Sequence, residues 1–167
     1  MYSENIERYN HGNWIHMDGF YFFTSRSTKV CKIIFMNLNQ QHVYRQLPQS
    51  KARNVCCKMG MSLLSIKSSA KRRTLSNLAI KYPEFVGDMW TSGTDLNCVG
   101  AFRWCSVNRA FIKKEVRWGE KEPNLKRGNC VMTKLHVNES QNTLFTAACN
   151  DKKQFVCEVT SLLFVSM

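Results

Sequence analysis

The chain has 167 residues, which is enough for one domain with short flanking segments. Hydrophobic residues make up 44% of it and charged residues 22%, a composition that excludes disordered and fibrous proteins. Two counts are unusual: 24 Lys and Arg against 12 Asp and Glu give a formal net charge of +12, and there are eight cysteines.

The N-terminal part of the chain carries one recognisable element. Residues 1–18 are polar with interspersed aromatic residues, and we expect them to form a tail. The aromatic run at 20–23 is typical of a short strand. A basic, Gln-rich stretch follows at 25–48, around a small apolar island. No apolar run in the sequence approaches the ~20 residues that a membrane-spanning helix needs.

Two helices are predicted next. Apolar residues recur at i, i+3, i+4 and i+7 from Gln49 to Met59, and Gly60 stands where a helix C-terminal glycine belongs. The apolar run at 61–66 indicates a strand. A second helix begins after a capping Ser68 or Ser69 and ends before Pro83. We expect the basic triplet at 71–73 to lie on the polar side of this helix.

The remainder of the chain is rich in Gly, Asn and Trp, which is typical of short strands and loops. Two helices followed by many short strands predict an α+β fold.

The cysteines favour disulfides over a metal site. Zinc sites usually pair their ligands at C-x2-4-C spacing, whereas this sequence contains no C-x-x-C and its four histidines are scattered. We therefore expect disulfides formed in an oxidising compartment, and hence a secreted protein. The first ten residues have neither the basic stretch nor the apolar run of a signal peptide. We expect either a processed or truncated chain or an incomplete gene model.

Six motifs stand in a fixed order in the stretch from Phe20 to Glu158. They are Ala52-x3-Cys56-x3-Gly60-Met-x-Leu63, Trp90-Thr-Ser-Gly-Thr-Asp95, Gly100-x-Phe-x-Trp104, Trp118-Gly-Glu-Lys-Glu-Pro-Asn124, Asn129-Cys-Val131 with Cys149, and Phe155-Val-Cys-Glu158. Through these motifs the stretch resembles a C-type lectin-like domain, and the Trp90–Asp95 motif and the Cys98/Cys105 pair look most like arthropod members. The resemblance implies a C-type lectin-like domain over 19–158, with an insertion at about 25–47 and a C-terminal tail at 159–167.

The resemblance also implies disulfide pairings. The first helix would be joined to the last strand by Cys56–Cys157, the long loop would be held by Cys130–Cys149, and Cys98–Cys105 would close a small hairpin. By elimination we predict a Cys31–Cys57 pair. The alternative for Cys31 is that it stays unpaired or links two chains.

The sugar-binding members of this family hold two neighbouring hydroxyls of a sugar ring on a Ca2+ ion. Because Ca2+ takes six to eight oxygen ligands, carboxylate and amide side chains supply most of them. The resemblance implies that Glu122 and Asn124 are such ligands, oriented by a cis Pro123, and that they bind carbohydrate of the mannose type together with Asn129.

Two other ligand positions depart from the family pattern. The carboxylate expected two residues before Cys130 is replaced by Gly128, and the expected Trp-Asn-Asp triplet is replaced by Leu-Phe-Thr at 144–146. Three cations, at 121, 126 and 127, flank the remaining ligands and repel a divalent cation by about 1 kcal/mol per pair at surface distances. Calcium-dependent mannose binding and weak or altered sugar binding both stay open, as does a triplet that persists only as a turn.

The net charge of +12 predicts attraction to anionic partners such as sulfated glycans, anionic microbial surfaces or acidic proteins. The alternative function is therefore a calcium-independent module that binds an anionic glycan or protein through a basic loop face. No nucleic-acid-binding motif accompanies the charge, and no catalytic constellation is present, so we expect a binding module and not an enzyme. One glycosylation sequon, Asn138-Glu-Ser140, lies in a polar stretch.

Overall fold

Two helices and nine strands form the regular structure of the computed structural model, which describes residues 14–17, 20–24, 46–96 and 101–158. The predicted α+β class is confirmed. The helices are α1 (Gln49–Lys58) and α2 (Ser69–Lys81), and the strands are β1 (Trp14–Met17), β2 (Phe20–Thr24), β3 (Ser62–Leu63), β4 (Gly87–Thr94), β5 (Arg103–Trp104), β6 (Arg109–Ala110), β7 (Cys130–Leu135), β8 (Leu144–Ala147) and β9 (Gln154–Glu158).

Helix α1 presents the predicted apolar face to the core. Ala52 and Cys56 are fully buried, while Val55 and Met59 pack partly buried against the same cluster. The helix ends at Lys58, and Gly60 follows it with a φ of 68° that is readily accessible only to glycine. The strand predicted after it is shorter than expected, because only Ser62 and Leu63 pair with β9.

Helix α2 begins at the predicted cap, since the hydroxyl of Ser68 accepts a hydrogen bond from the backbone N–H of Lys71. Its apolar face packs on the sheet through Leu75, Leu78 and Ala79, all fully buried. The prediction that the basic triplet at 71–73 lies on the polar, solvated side of α2 is wrong for its first two residues. Lys71 and Arg72 are both buried, at 5% and 7% exposure.

Strand β9 is the centre of the sheet. It pairs antiparallel with β2 and β3, so that Phe23 and Leu63 both lie opposite Cys157. It pairs parallel with β4, where Trp90 lies opposite Phe155. Strand β4 then pairs antiparallel with β5 and β7, β5 with β6, and β7 with β8. Strands β7 and β8 pair with each other, and the long loop before β7 is hydrogen-bonded to β8.

Strand β1 lies inside the segment that the sequence pattern assigned to a tail. It pairs antiparallel with β2 from Trp14 opposite Phe23 to Met17 opposite Phe20. The sheet therefore extends further toward the N-terminus than the predicted tail at 1–18 allows. At the end of the predicted insertion, Leu47 is buried, and its carbonyl accepts a hydrogen bond from the indole N–H of Trp90 at 2.7 Å.

Two disulfides join these elements. Cys56–Cys157 links α1 to β9, and Cys130–Cys149 links the start of β7 to the segment after β8. Both are the pairings that the resemblance implies. Cys31 and Cys98 lie outside the described residues, so the Cys31–Cys57 and Cys98–Cys105 pairs stay predictions.

Candidate functional site

The loop between β6 and β7 carries the triplet Glu122–Pro123–Asn124 and is anchored on β8. The backbone N–H of Gly119 donates to the carbonyl of Leu144 at 2.9 Å, and the N–H of Leu144 donates to the carbonyl of Arg117 at 2.8 Å. The Glu122–Pro123 peptide bond is cis, as the resemblance implies. The loop therefore crosses the end of the sheet with the triplet beside β8.

The carboxylate of Glu122 is buried and saturated with donors. Its side chain is 1% exposed. One oxygen, Oε2, lies 2.6 Å from the hydroxyl of Thr146 and accepts from the backbone N–H groups of Thr146 at 3.0 Å and of Asn124 at 2.9 Å. The other oxygen, Oε1, accepts from the guanidinium of Arg127 at 2.9 Å. Four donors thus surround one carboxylate, and one of them carries a full positive charge.

These contacts decide the protonation state of Glu122. Burial raises the pKa of its carboxyl, but the hydrogen bonds from Thr146 and Asn124 and the charge of Arg127 outweigh burial and bring the pKa below its ordinary value. Glu122 is therefore ionised at neutral pH, and its charge is neutralised within the protein.

The two asparagines predicted to bind sugar occupy different environments. The side-chain oxygen of Asn124 accepts from the backbone N–H of Lys126 at 3.1 Å and so closes a local turn. Asn129 lies at the end of the loop, where its carbonyl accepts from the backbone N–H of Asp95 at 3.1 Å and from the hydroxyl of Thr94 at 2.8 Å. Glu122 and Asn124 are joined by hydrogen bonds, whereas Asn129 is held to β4 by its backbone.

Close packing surrounds the positions where the family pattern would place further calcium ligands. Gly128 has a φ of 136°, and a Cβ there would overlap the backbone of Ala147, so a carboxylate side chain does not fit at this position. Gly119 has no room for a Cβ either, because the ring of Phe145 lies against it. Leu144 fills the core slot expected of it, at 3% exposure.

Calcium does not fit this set of residues. A Ca2+ site needs six or more oxygen ligands, several of them charged and free to face the ion. Here the one carboxylate of the triplet accepts from Arg127 and Thr146, while the positions of the third carboxylate and the amide are a glycine and a phenylalanine. In the described part of the chain, no three His, Cys, Asp or Glu side chains form a group that could hold a metal ion.

The sequence did not reveal the partners of Glu122. Thr146 is the last residue of the Leu-Phe-Thr segment that replaces the family's triplet, and its hydroxyl is the principal neutral partner of the Glu122 carboxylate. Arg127 was expected to repel a bound ion, and its guanidinium instead pairs with the carboxylate that would have held the ion. The spacing Glu122–x4–Arg127 is a weak signal for such a pair, because a loop brings these residues together only in a specific fold.

The cations of the loop are otherwise solvated. Lys121, Lys126 and Arg127 are all exposed, and Arg127 keeps 59% of its side-chain surface accessible while it contacts Glu122. Lys121 lies 3.8 Å from Glu120, but both side chains are almost fully exposed, so this pair contributes little. We call Lys121, Lys126 and Arg127 the basic loop face.

A family model described as the lectin C-type domain matches residues 45–159. No curated protein sequence matches the chain. Among the described residues, no helix has the length and apolar character needed to cross a membrane.

Solved structures with a similar fold agree with the family match. Human lithostathine is 16% identical over 89% of this chain and 88% of its own, with a TM-score of 0.64. The carbohydrate-recognition domain of cow CD23, solved in the presence of a GlcNAc2Man3 oligosaccharide, is 20% identical over 89% and 94%, with a TM-score of 0.62. A calcium-independent type II antifreeze protein is 16% identical over 89% and 92%, with a TM-score of 0.60. At these identities the likeness shows the fold alone.

Proposed function

Because the chain belongs to the C-type lectin domain family, we propose that it is a calcium-independent carbohydrate-binding module that takes anionic glycans on its basic loop face. The family consists mainly of binding proteins, which is consistent with a module that carries no catalytic role. The disulfides support an extracellular setting for it.

One observation carries the calcium-independent part of the proposal: Glu122 is already saturated. To bind Ca2+, its carboxylate would have to release the guanidinium of Arg127 and the hydroxyl of Thr146. The ion would gain one carboxylate and would leave Arg127 unpaired beside it. Arg127 thus supplies, beside this carboxylate, the positive charge that the ion supplies in calcium-binding members.

The basic loop face supports an anionic ligand. With Glu122 paired internally, the exposed charge of the loop is dominated by Lys121, Lys126 and the outer surface of Arg127. Sulfate and carboxylate groups on a glycan accept charge-assisted hydrogen bonds from such side chains. The net charge of +12 raises the association rate of any polyanion.

The second candidate is calcium-dependent binding of a mannose-type glycan through Glu122, Asn124 and Asn129. The cis Glu122–Pro123 bond and the retained triplet favour it, and the cow CD23 domain is a relative in fold that was solved with a mannose-containing oligosaccharide. The hydrogen bonds that the Glu122 carboxylate already accepts from Arg127 and Thr146 argue against calcium-dependent binding. The likeness to arthropod members remains a prediction.

One chromatography experiment separates the two candidates. The protein is passed over immobilised heparin and immobilised mannose, first with CaCl2 and then with EDTA. We expect retention on heparin that NaCl reverses and EDTA leaves unchanged, with no retention on mannose. Retention on mannose that EDTA abolishes would support the second candidate and contradict the first. Failure on both columns would contradict both.

A further inference from the structure

A second concentration of positive charge, made of other residues than the basic loop face, lies where the turn at 112–117 meets the first half of α2. We call it the arginine edge. It comprises Arg72, Arg109, Lys113, Lys114 and Arg117.

Hydrogen bonds fix the geometry of the arginine edge around Glu115. The guanidinium of Arg72 donates to the backbone carbonyl of Glu115 at 2.6 Å, and the guanidinium of Arg109 pairs with Oε1 of Glu115 at 2.8 Å. Arg72 thus ties α2 to the turn from beneath, and Arg109 reaches the same residue from β6. Lys113, Lys114 and Arg117, on the turn itself, are exposed.

The charges of the arginine edge do not balance. Glu115 is the one acid within it, and Arg109 takes that acid as its ion-pair partner. Among the residues that the structure describes, neither Arg72 nor Arg117 forms an ion pair, and Arg72 is buried with an Nε that lacks a hydrogen-bond partner. Burial and the nearby positive charge of Arg117 lower the pKa of Arg72, and the nearby carboxylate of Glu139 opposes them only in part. An anion bound here would relieve this repulsion.

The side chains suit a sulfate group. A guanidinium presents parallel N–H donors that match two oxygens of a sulfate or carboxylate, while an ammonium group acts as a strongly hydrated point charge. The edge combines exposed guanidinium groups of Arg109 and Arg117 with the two neighbouring lysines. Arg72 is a fixed positive charge behind them. A sulfated sugar can therefore receive both kinds of contact on one surface.

We infer that the arginine edge is a second binding surface for sulfated glycans, separate from the basic loop face. The inference rests on the proposed function, since it assumes that the module binds anionic glycans at all. It adds a site that does not involve the Glu122–Pro123–Asn124 triplet.

Heparin binding of paired variants tests the inference. Lys113→Gln/Lys114→Gln removes two exposed charges from the edge, and Lys51→Gln/Lys58→Gln removes two exposed charges from α1 as the matched control. The dissociation constant for heparin is measured at several NaCl concentrations, and thermal unfolding verifies that each variant is folded. We expect the slope of log Kd against log [NaCl] to fall by about 1.5 for the edge variant, with a smaller change for the control. This magnitude takes the polyanion heparin to release counterions as nucleic acids do, for which each lost phosphate contact removes roughly 0.7–0.9 from the slope.

The outcomes separate this inference from the proposed function. If the unmodified protein binds heparin and the edge variant behaves like the control, the arginine edge is overturned while the proposed function stands. If the unmodified protein does not bind heparin, both are overturned. Equal binding to desulfated heparin, or to DNA at the same salt concentration, would overturn the assignment to sulfated glycans.

Discussion

The substitution Thr146→Val tests whether the donors around Glu122 hold the long loop in place of a metal ion. It removes the hydroxyl that lies 2.6 Å from Oε2 and keeps the β-branched shape of a residue that is 3% exposed. The backbone N–H groups of Thr146 and Asn124 and the guanidinium of Arg127 remain as donors. The variant therefore removes the hydroxyl donor to a buried carboxylate, together with the contacts of that hydroxyl to the carbonyl of Asn124 at 2.8 Å and to the N–H of Asn124 at 3.1 Å.

The expected loss of stability for each substitution follows from how deeply the substituted side chain is buried. A hydrogen bond to a charged group stabilises a protein by about 1.5–3 kcal/mol, so Thr146→Val should lower the free energy of unfolding by about 2 kcal/mol. Arg127→Gln should cost less, about 0.5–1 kcal/mol, because the side chain of Arg127 is 59% exposed and solvent screens its charge. The hydroxyl, although neutral, is expected to matter more than the salt bridge.

The pH dependence has a definite sign. The pKa of Glu122 is lower in the folded protein than in the unfolded chain, so the folded state holds the ionised form preferentially. This contribution is fully present above the unfolded pKa, about 4.3, and is lost as pH falls through the folded pKa. The difference in stability between the unmodified protein and Glu122→Gln should be constant near neutral pH and decrease below about pH 4.

Urea unfolding at neutral pH and at several acidic pH values measures all three variants. The assignment of the Thr146 hydroxyl as the principal donor would be refuted if Thr146→Val left the free energy of unfolding unchanged. A larger loss of stability for Arg127→Gln than for Thr146→Val would refute it as well. A stability difference for Glu122→Gln that grows as the pH falls would refute the ionised state of the carboxylate.

Two further predictions concern packing and a buried charge pair. Gly128→Ala should lower the free energy of unfolding, measured in urea, by about 2–4 kcal/mol. The reason is that a Cβ would overlap the backbone of Ala147 at a φ that favours glycine. An unchanged free energy of unfolding would contradict this packing. Lys71→Met should cost about 3 kcal/mol, because Lys71 and Glu158 form an ion pair at 2.6 Å with both side chains 6% exposed, and the variant leaves the carboxylate buried. The exposed control Lys58→Met should be close to neutral in thermal unfolding, and equal effects of the two substitutions would show that the pair contributes nothing.

Both helices, most of the strands and the two disulfides Cys56–Cys157 and Cys130–Cys149 could be predicted, because each depends on local pattern or on an ordered set of motifs. The periodicity from Gln49 to Met59 reports directly which face of α1 is buried, and Gly60 marks its end through backbone geometry. Strand β1 was missed, since four residues at 14–17 among polar neighbours give too short a pattern to distinguish a strand from a tail.

The chemistry of the loop could be predicted only in part. The triplet and its cis proline follow from a local motif, whereas the partners of Glu122 are set by the approach of β8 in three dimensions. Thr146 is 24 residues from Glu122 along the chain, and no local pattern joins them. The burial of Lys71 was missed for the same reason, because its partner Glu158 comes from β9 and a run of basic residues usually indicates a solvated surface.

Thermal unfolding with and without calcium tests the central claim most directly. The claim is that Arg127 and Thr146 bind the carboxylate of Glu122, so that calcium does not stabilise the folded protein. We predict the same unfolding temperature in EDTA and in about 10 mM CaCl2, roughly ten times the Kd of the weakest extracellular calcium sites. A saturable rise in unfolding temperature with calcium would contradict the account, since an ion at about ten times its Kd stabilises the folded state by about 1.4 kcal/mol.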